Sequence, residues 1–121
     1  MDWEKASPEL GITLENLLAG FNCQKRPMFG CPVYFVNDNM FAGVKSGVVF
    51  FRLSESDRRA IMAESDEVQL FEPRPDFIMK EYVELSEDKL FDRDFINKWL
   101  PRSYAYVSSL PLKVKKEKKS K

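Results

Sequence analysis

The stretch that decides the fold is KRPMFGCPVYFVNDNMFAGV, residues 25–44. Two runs rich in Val, Phe, Tyr and Met, 31–36 and 40–44, lie on either side of Asn-Asp-Asn at 37–39. β-Branched and aromatic residues favour strands, whereas Asn and Asp tolerate positive φ better than other residues with a side chain. The pattern therefore predicts an antiparallel hairpin that turns at residues 37–39.

The same stretch contains two glycine motifs, Met-Phe-Gly at 28–30 and Met-Phe-Ala-Gly at 40–43, which suggest a ligand-binding loop as an alternative. A phosphate-binding nest needs successive free N–H groups, usually from clustered glycines at the start of a helix. Gly30 stands almost alone, Pro32 has no N–H, and a strand-like run follows. The sequence thus favours a tight entry into the first strand, with the Met and Phe of both motifs in the core.

A third strand-like run, 48–53, follows a loop of hairpin length, so the three runs predict an antiparallel meander. Val33 and Phe35 would lie on one face of it and Tyr34 and Val36 on the other. A face in contact with water would carry polar side chains. We therefore expect both faces to be covered, by helices on both or by a second subunit on one, and the second option is the basis for a homodimer hypothesis.

The remaining elements are three helices and two further strands. Ser7 is the predicted N-cap of the first helix, Ser54 is the predicted cap of the middle helix, and the last helix is expected to begin near Asp92 or Asp94. Pro101 removes a backbone donor and is expected to kink or divide that last helix. Residues 68–71 and 77–85 read as strands, and the prolines between them exclude a central strand there.

These elements predict an α+β fold: an antiparallel sheet, made of a meander of three strands plus two more, flanked by N-terminal, middle and C-terminal helices. A chain of 121 residues with 44% hydrophobic residues can bury one core. We assign residues 1–112 to this domain and 113–121 to a lysine-rich flexible tail.

The charge distribution is uneven although the chain has 19 basic and 19 acidic residues. The last nine residues contain six lysines and one glutamate, which leaves 13 basic and 18 acidic residues in the body. The acidic body argues against a broad DNA-binding face, because duplex affinity depends on phosphate neutralisation. The tail is expected to be solvated. The alternative, weak non-specific contact with nucleic acid, would use Lys113, Lys115, Lys116, Lys118 and Lys119.

Enzyme chemistry has no signature in this chain. The absence of histidine removes the commonest general base and the Ser-His and Cys-His pairs. Cys23 and Cys31 match no zinc pattern, and the acidic clusters read as helix caps and solvated surface. We therefore predict no catalytic, metal or cofactor site. The alternative is a small-ligand domain or an undetected enzyme that uses Lys80, Tyr82 or an acid in a cleft.

The N-terminus has acids where a signal peptide would be basic and then apolar, and no apolar run approaches the length of a membrane helix. A cytoplasmic protein without membrane contact is the expectation.

Taken together, the ordered motifs closely resemble the signature of the TfoX N-terminal domain, from the TfoX/Sxy competence regulators of bacteria. The resemblance covers nearly the whole chain apart from the first few residues and the tail. The family-motif residues, mostly structural in role, are Arg26, Met28, Phe29, Gly30, Phe35, Asn37, Met40, Phe41, Gly43, Lys80, Tyr82 and Trp99.

The resemblance implies an α+β domain with an antiparallel sheet flanked by helices. It also implies a role in regulation, since full-length members carry a second domain and act with a cyclic-AMP-dependent transcription activator to switch on DNA-uptake genes. This chain stops where that domain would begin, so we expect a single-domain member: a non-enzymatic module that binds a protein partner, such as a transcription regulator. One departure from the family is Asp38, where glycine is frequent, and it predicts a wider first turn.

Overall fold

The computed structural model describes residues 8–28, 31–45 and 47–111, so the predicted Ser7 cap, Phe29, Gly30 and the tail at 113–121 lie outside the described residues. Four helices and six strands follow one another in this part of the chain. Their bounds are α1 (Pro8–Leu17), β1 (Gln24–Met28), β2 (Cys31–Val36), β3 (Asn39–Lys45), β4 (Val48–Arg52), α2 (Glu55–Glu64), β5 (Gln69–Arg74), β6 (Phe77–Ser86), α3 (Glu87–Leu90) and α4 (Arg93–Ser109).

The strands form one antiparallel sheet in the order β1-β2-β3-β4-β6-β5, which confirms the α+β class and the predicted meander of β2, β3 and β4. The prediction of five strands was wrong, because β1 adds a sixth. Its sequence, QKRPM, has no strand-like alternation and contains Pro27. It forms a strand because it lies at the sheet edge, where a proline is tolerated and charged side chains hinder pairing with another chain.

The first hairpin turn is tight, so the prediction of a wider turn was wrong. Val36 pairs directly with Asn39, and the two residues between them, Asn37 and Asp38, have φ of 52° and 64°. Two successive positive φ values are typical of a type I′ turn, whose twist matches that of the flanking strands. Further along the hairpin, β3 has one residue more than β2. This residue, Phe41, forms a β-bulge.

All four helices contribute to the main hydrophobic core, on one face of the sheet. The buried helical residues of this core are Leu10, Leu14, Ile61, Leu90, Phe95, Ile96, Trp99, Leu100 and Val107. On the opposite face a smaller cluster, Val33, Phe50, Phe71 and Tyr82, comes from strands alone. In the described part of the chain, helices therefore cover one face and not both, and we call the other the helix-free face.

Helix α4 is continuous through Pro101, so of the two expected outcomes, a kink or a division, division does not occur. Asp92 caps it by accepting a hydrogen bond from Phe95 N at 3.2 Å. Beyond the proline, Val107 is buried and Ser103 Oγ donates to the carbonyl of Arg52 at 2.6 Å. These contacts hold the second half of the helix against the sheet, and packing of this kind outweighs the lost backbone bond.

The second hairpin, β5 and β6, forms the other end of the sheet. β5 extends beyond the predicted 68–71 and includes Pro73, which an edge strand tolerates. The chain reverses at Pro75 and Asp76, the latter with φ of 66°. No helix in the described part of the chain is long and apolar enough to cross a membrane.

Candidate interaction site

Several family-motif residues meet on the helix-free face. Arg26 pairs with Val33, and Val33 pairs in turn with Gly43, so the three residues form one row across β1, β2 and β3. Because side chains alternate along a strand, the paired residues Phe35 and Met40, two residue pairs away from Val33 and Gly43, lie on the same face. Motif residues that are scattered along the sequence are thus brought together by strand register.

Tyr82 reaches this group from β6. Its hydroxyl donates to the carbonyl of Met40 at 3.1 Å, and its side chain is buried. Burial raises the pKa of Tyr82 to about 12, although the Arg52 guanidinium, 5.6 Å from the centre of the ring, acts in the opposite direction. Tyr82 therefore remains a neutral donor that ties β6 to the bulged strand β3. It is not poised to act as a base.

Stacked rings form the centre of the helix-free face. Phe50 pairs with Gly43 across β3 and β4, and its ring stacks on that of Phe71 with centroids 4.2 Å apart and an angle of 15° between planes. Both side chains are fully buried. Phe71 lies at a register shift in β5, so the edge hairpin contributes to covering this face without a helix.

Arg26 lies at the margin of the face, beside the first hairpin turn. Its guanidinium lies 4.8 Å from the centre of the Phe35 ring and contacts Asp38 Oδ1 at 2.6 Å. The same group donates to Gln24 Oε1 at 2.9 Å. The side chains of Arg26 and Asp38 are nearly half exposed, so the ion pair adds little stability. It fixes the position of the Arg26 guanidinium at the surface.

The accessible part of this face is apolar. Phe35, Met40, Val48 and Met79 pack against the buried cluster and are only partly covered. At the end of the β5–β6 hairpin, Phe77 and Ile78 are 46% and 48% exposed. Phe77 shares the face of Met79 by strand alternation, whereas Ile78 lies on the opposite side of the hairpin end. The interaction face, as we use the term, consists of the partly covered residues together with this hairpin end.

The structure places other predicted residues elsewhere. Phe41 and Trp99 belong to the main core, and Lys80 is an exposed residue of β6. Met28 is at the end of β1, opposite Cys31. The predicted Phe29, Gly30 and nucleic-acid contacts Lys113, Lys115, Lys116, Lys118 and Lys119 lie outside the described residues.

Sequence reasoning missed Met79, Phe77 and Ile78 as surface candidates. A signal existed, because two large apolar residues directly follow the Pro-Asp turn at 75 and 76, where a solvated hairpin end would carry polar residues. Their exposure depends on the register shifts of β5 against β6, which no sequence pattern reports.

A polar cleft of about 430 Å³ opens beside the first hairpin turn, next to the interaction face. Its polar lining residues are Asn22, Gln24, Asn37, Asp38 and Ser108. Tyr104, Phe35, Val36 and Cys23 complete the described walls. Of the groups named in the alternative prediction, Lys80 and Tyr82 do not line this cleft, whereas an acid, Asp38, does, so that alternative stays a prediction.

The described part of the cleft offers few groups that could act as a nucleophile or hold a metal ion. Burial raises the pKa of the Cys23 thiol, which keeps it protonated and weakly nucleophilic. Within residues 8–28, 31–45 and 47–111 no three His, Cys, Asp or Glu side chains are grouped so as to hold a metal ion. The chemistry that the lining offers is hydrogen bonding beside aromatic rings.

Comparison with known protein families identifies the family of this chain. A family model described as the TfoX N-terminal domain matches residues 16–107 of the 121-residue chain. This range begins within α1 and ends within α4, so it includes the whole sheet. No curated protein and no solved structure matches the chain.

Proposed function

The chain belongs to the TfoX N-terminal domain family, and on that premise we propose that it is a non-enzymatic regulatory module, related to competence, that acts in the cytoplasm by binding a protein partner. The observation that carries the proposal is the interaction face. It leaves apolar side chains accessible on the face of the sheet that no described helix covers.

The composition of this face suits a protein partner. Aromatic residues, Met and Arg are enriched at protein interfaces, and here Phe35, Met79 and Arg26 occur together. Met adapts its shape to different partners because its side chain is unbranched and polarisable. A contact of this kind would bury the partly covered residues and the hairpin end in one patch.

The mode of binding follows from the two sheet edges. β1 contains Pro27 with Lys25 and Arg26, and β5 contains Pro73. Proline and charge on an edge oppose the addition of a further strand. We therefore expect the partner to dock on the face through side chains, rather than to extend the sheet by backbone pairing.

A matched pair of variants tests this proposal. The first, Phe77→Ser with Ile78→Ser, removes the exposed apolar residues of the hairpin end. The control is Ile12→Ser with Phe91→Ser. These apolar residues, in α1 and directly after α3, are 60% and 58% exposed and lie away from the hairpin end. Captures from a lysate of the natural host are compared by mass spectrometry, and purified candidates are then titrated against each variant.

We expect a direct partner that binds the wild-type chain and the control but is lost with the hairpin variant. Equal binding by both variants, or no direct partner at all, would contradict the proposal. Sedimentation of the isolated chain identifies a second copy as the partner if the hairpin variant alone becomes monomeric. The regulatory part is tested separately: transcripts of DNA-uptake genes should fall when the host gene is replaced by the hairpin variant, and unchanged transcripts would contradict that part.

A further inference from the structure

From the cleft beside the first hairpin turn we infer a second binding site, for an uncharged nucleobase held as the free base or the nucleoside. This inference does not rest on the proposed protein partner, because it uses the cleft and not the hairpin end. The volume of about 430 Å³ is within the range of small-molecule sites.

The first argument is the type of polar group that the cleft presents. Asn22, Gln24 and Asn37 each carry a carboxamide, which offers a donor and an acceptor side by side. Gln24 Oε1 already accepts one hydrogen bond from Arg26 and retains a second lone pair. A pair of this kind matches the adjacent acceptor and donor on the edge of a nucleobase, as Asn and Gln do when they read adenine. Three such groups on one small cleft favour a ligand with several amide-like edges.

The second argument is the aromatic wall. Tyr104 lines the cleft, and its ring is held from behind by Phe21 and Phe41, with centroid distances of 4.9 Å and 5.7 Å. A ring that is fixed in this way provides a platform for a flat heterocycle, and stacking of bases on aromatic side chains tolerates any base. Phe35 contributes a second ring to the lining.

The third argument is charge. Among the described residues that line the cleft, Asp38 is the only charged one. Its Oδ1 atom contacts Arg26, a residue that is not among those lining the cleft. Because this carboxylate is already paired with Arg26, the described lining offers no unpaired cation to hold a phosphate, while the second oxygen of Asp38 can still accept from an N–H group of a base. The site therefore favours bases and nucleosides over nucleotides.

Ser108 lies at the wall of the cleft. Its hydroxyl is buried and has no hydrogen-bond partner in the described part of the chain, as is also the case for the polar atoms of Tyr34 and Trp99 away from the cleft.

The experiment is a titration of the ¹⁵N-labelled full chain, followed by two-dimensional NMR, with adenine, uracil, adenosine, uridine and the two 5′-monophosphates. We expect at least one base or nucleoside to shift the amide signals of Gln24, Asn37 and Tyr104. Comparison of each base with its nucleoside distinguishes the two forms of the ligand. The matching monophosphate should bind about ten-fold more weakly or worse, because its added negative charge meets no unpaired cation in the described lining.

Asn37→Gly is the informative variant, because glycine adopts the positive φ of residue 37 without strain while the carboxamide is removed. Affinity should fall about five-fold or more, the effect of one lost bidentate contact. Asp76→Gly makes a comparable change at the other positive-φ turn and should bind normally. Ser108→Ala provides a second cleft variant and should also weaken binding.

Three results would overturn the inference: no shift at the cleft residues with any base or nucleoside, tighter binding of the monophosphates, or unchanged affinity of Asn37→Gly. The variant Phe77→Ser with Ile78→Ser separates this site from the proposed function. It should lose the protein partner and keep nucleoside binding.

Discussion

The ring of Phe50 covers the backbone of Gly43, so that a Cβ atom at residue 43 would lie 2.6 Å from Phe50 Cζ and 3.1 Å from the carbonyl oxygen of Pro32. An aromatic ring placed over a strand glycine fills the space that a side chain would occupy. Phe50 cannot easily move away, because its ring stacks on Phe71. The Met-Phe-Ala-Gly motif therefore ends in glycine because the Phe50 ring leaves no room for a side chain at residue 43.

Gly43→Ala is therefore expected to destabilise the fold. The added methyl group overpacks a buried cluster, and such changes cost about 1–3 kcal/mol. Urea denaturation, followed by tryptophan fluorescence, measures the loss. Gly20→Ala is the matched control, since a Cβ at residue 20 would meet nothing within 4 Å. Equal stability of Gly43→Ala and the wild-type chain would show that the Phe50 ring is free to shift.

The buried tyrosines predict a loss of stability at alkaline pH. Burial raises the pKa of both Tyr34 and Tyr82 to about 12, from an ordinary value of 10.0. Between these values the unfolded chain loses protons that the folded chain retains, so their contribution to stability is full below pH 10 and declines as the pH rises toward 12. Urea midpoints measured from pH 8 to pH 11 should therefore fall.

The double variant Tyr34→Phe with Tyr82→Phe identifies the tyrosine part of this effect. It should show a shallower decline above pH 10 than the wild-type chain, although it loses the hydrogen bond from Tyr82 to Met40 and is less stable at neutral pH by about 1 kcal/mol. An identical slope in both proteins would show that the two tyrosines do not cause the alkaline loss.

Pro101→Ala is expected to stabilise the protein. Pro101 is an exposed residue inside α4, and alanine would restore the backbone donor to the carbonyl of Asn97. An interior proline costs about 3 kcal/mol relative to alanine, of which we expect about 1–3 kcal/mol to be regained. Thermal unfolding by circular dichroism measures the gain. A loss of stability would mean that the proline shapes the second half of α4 to fit the sheet.

The two hairpin turns predict different responses to glycine. Asp76, with φ of 66°, has a strained backbone, so Asp76→Gly should raise the free energy of unfolding by about 0.5–1 kcal/mol. Asp38→Gly relieves a similar conformation at φ of 64° but loses the ion pair with Arg26, an exposed contact worth about 0–1 kcal/mol. We expect the smaller gain at residue 38.

High salt provides the check on that explanation. Salt screens exposed ion pairs, so the difference between the two glycine variants should shrink as salt is added. A difference that is independent of salt would contradict the role of the Arg26 pair.

The elements that sequence predicted well are those with strong local signals. Strand β2 was predicted with its observed bounds, and the Ser54 cap is present, with Asp57 N donating to Ser54 Oγ at 3.3 Å. Strand β1 was missed, because its residues take strand conformation only through pairing with β2. The division of α4, one of the two outcomes expected at Pro101, does not occur, since burial on both sides of the proline outweighs a local preference.

The candidate site was predicted in parts. The sequence identified Arg26, Phe35, Met40 and Tyr82 as motif residues, but their meeting depends on the pairing of five strands. The cleft was not predicted at all, because Asn22, Asn37 and Ser108 come from a loop, a turn and a helix that are distant in the chain.

By itself the sequence determined the α+β class, the central meander and the family, because alternating apolar strands, turn residues and caps act over a few neighbouring positions. Only the tertiary structure decided that helices cover one face, that Phe50 occupies the space above Gly43, and that the first turn borders a polar cleft. The physical reason is that register and burial arise from contacts between residues far apart in the chain, and local patterns carry no record of those contacts.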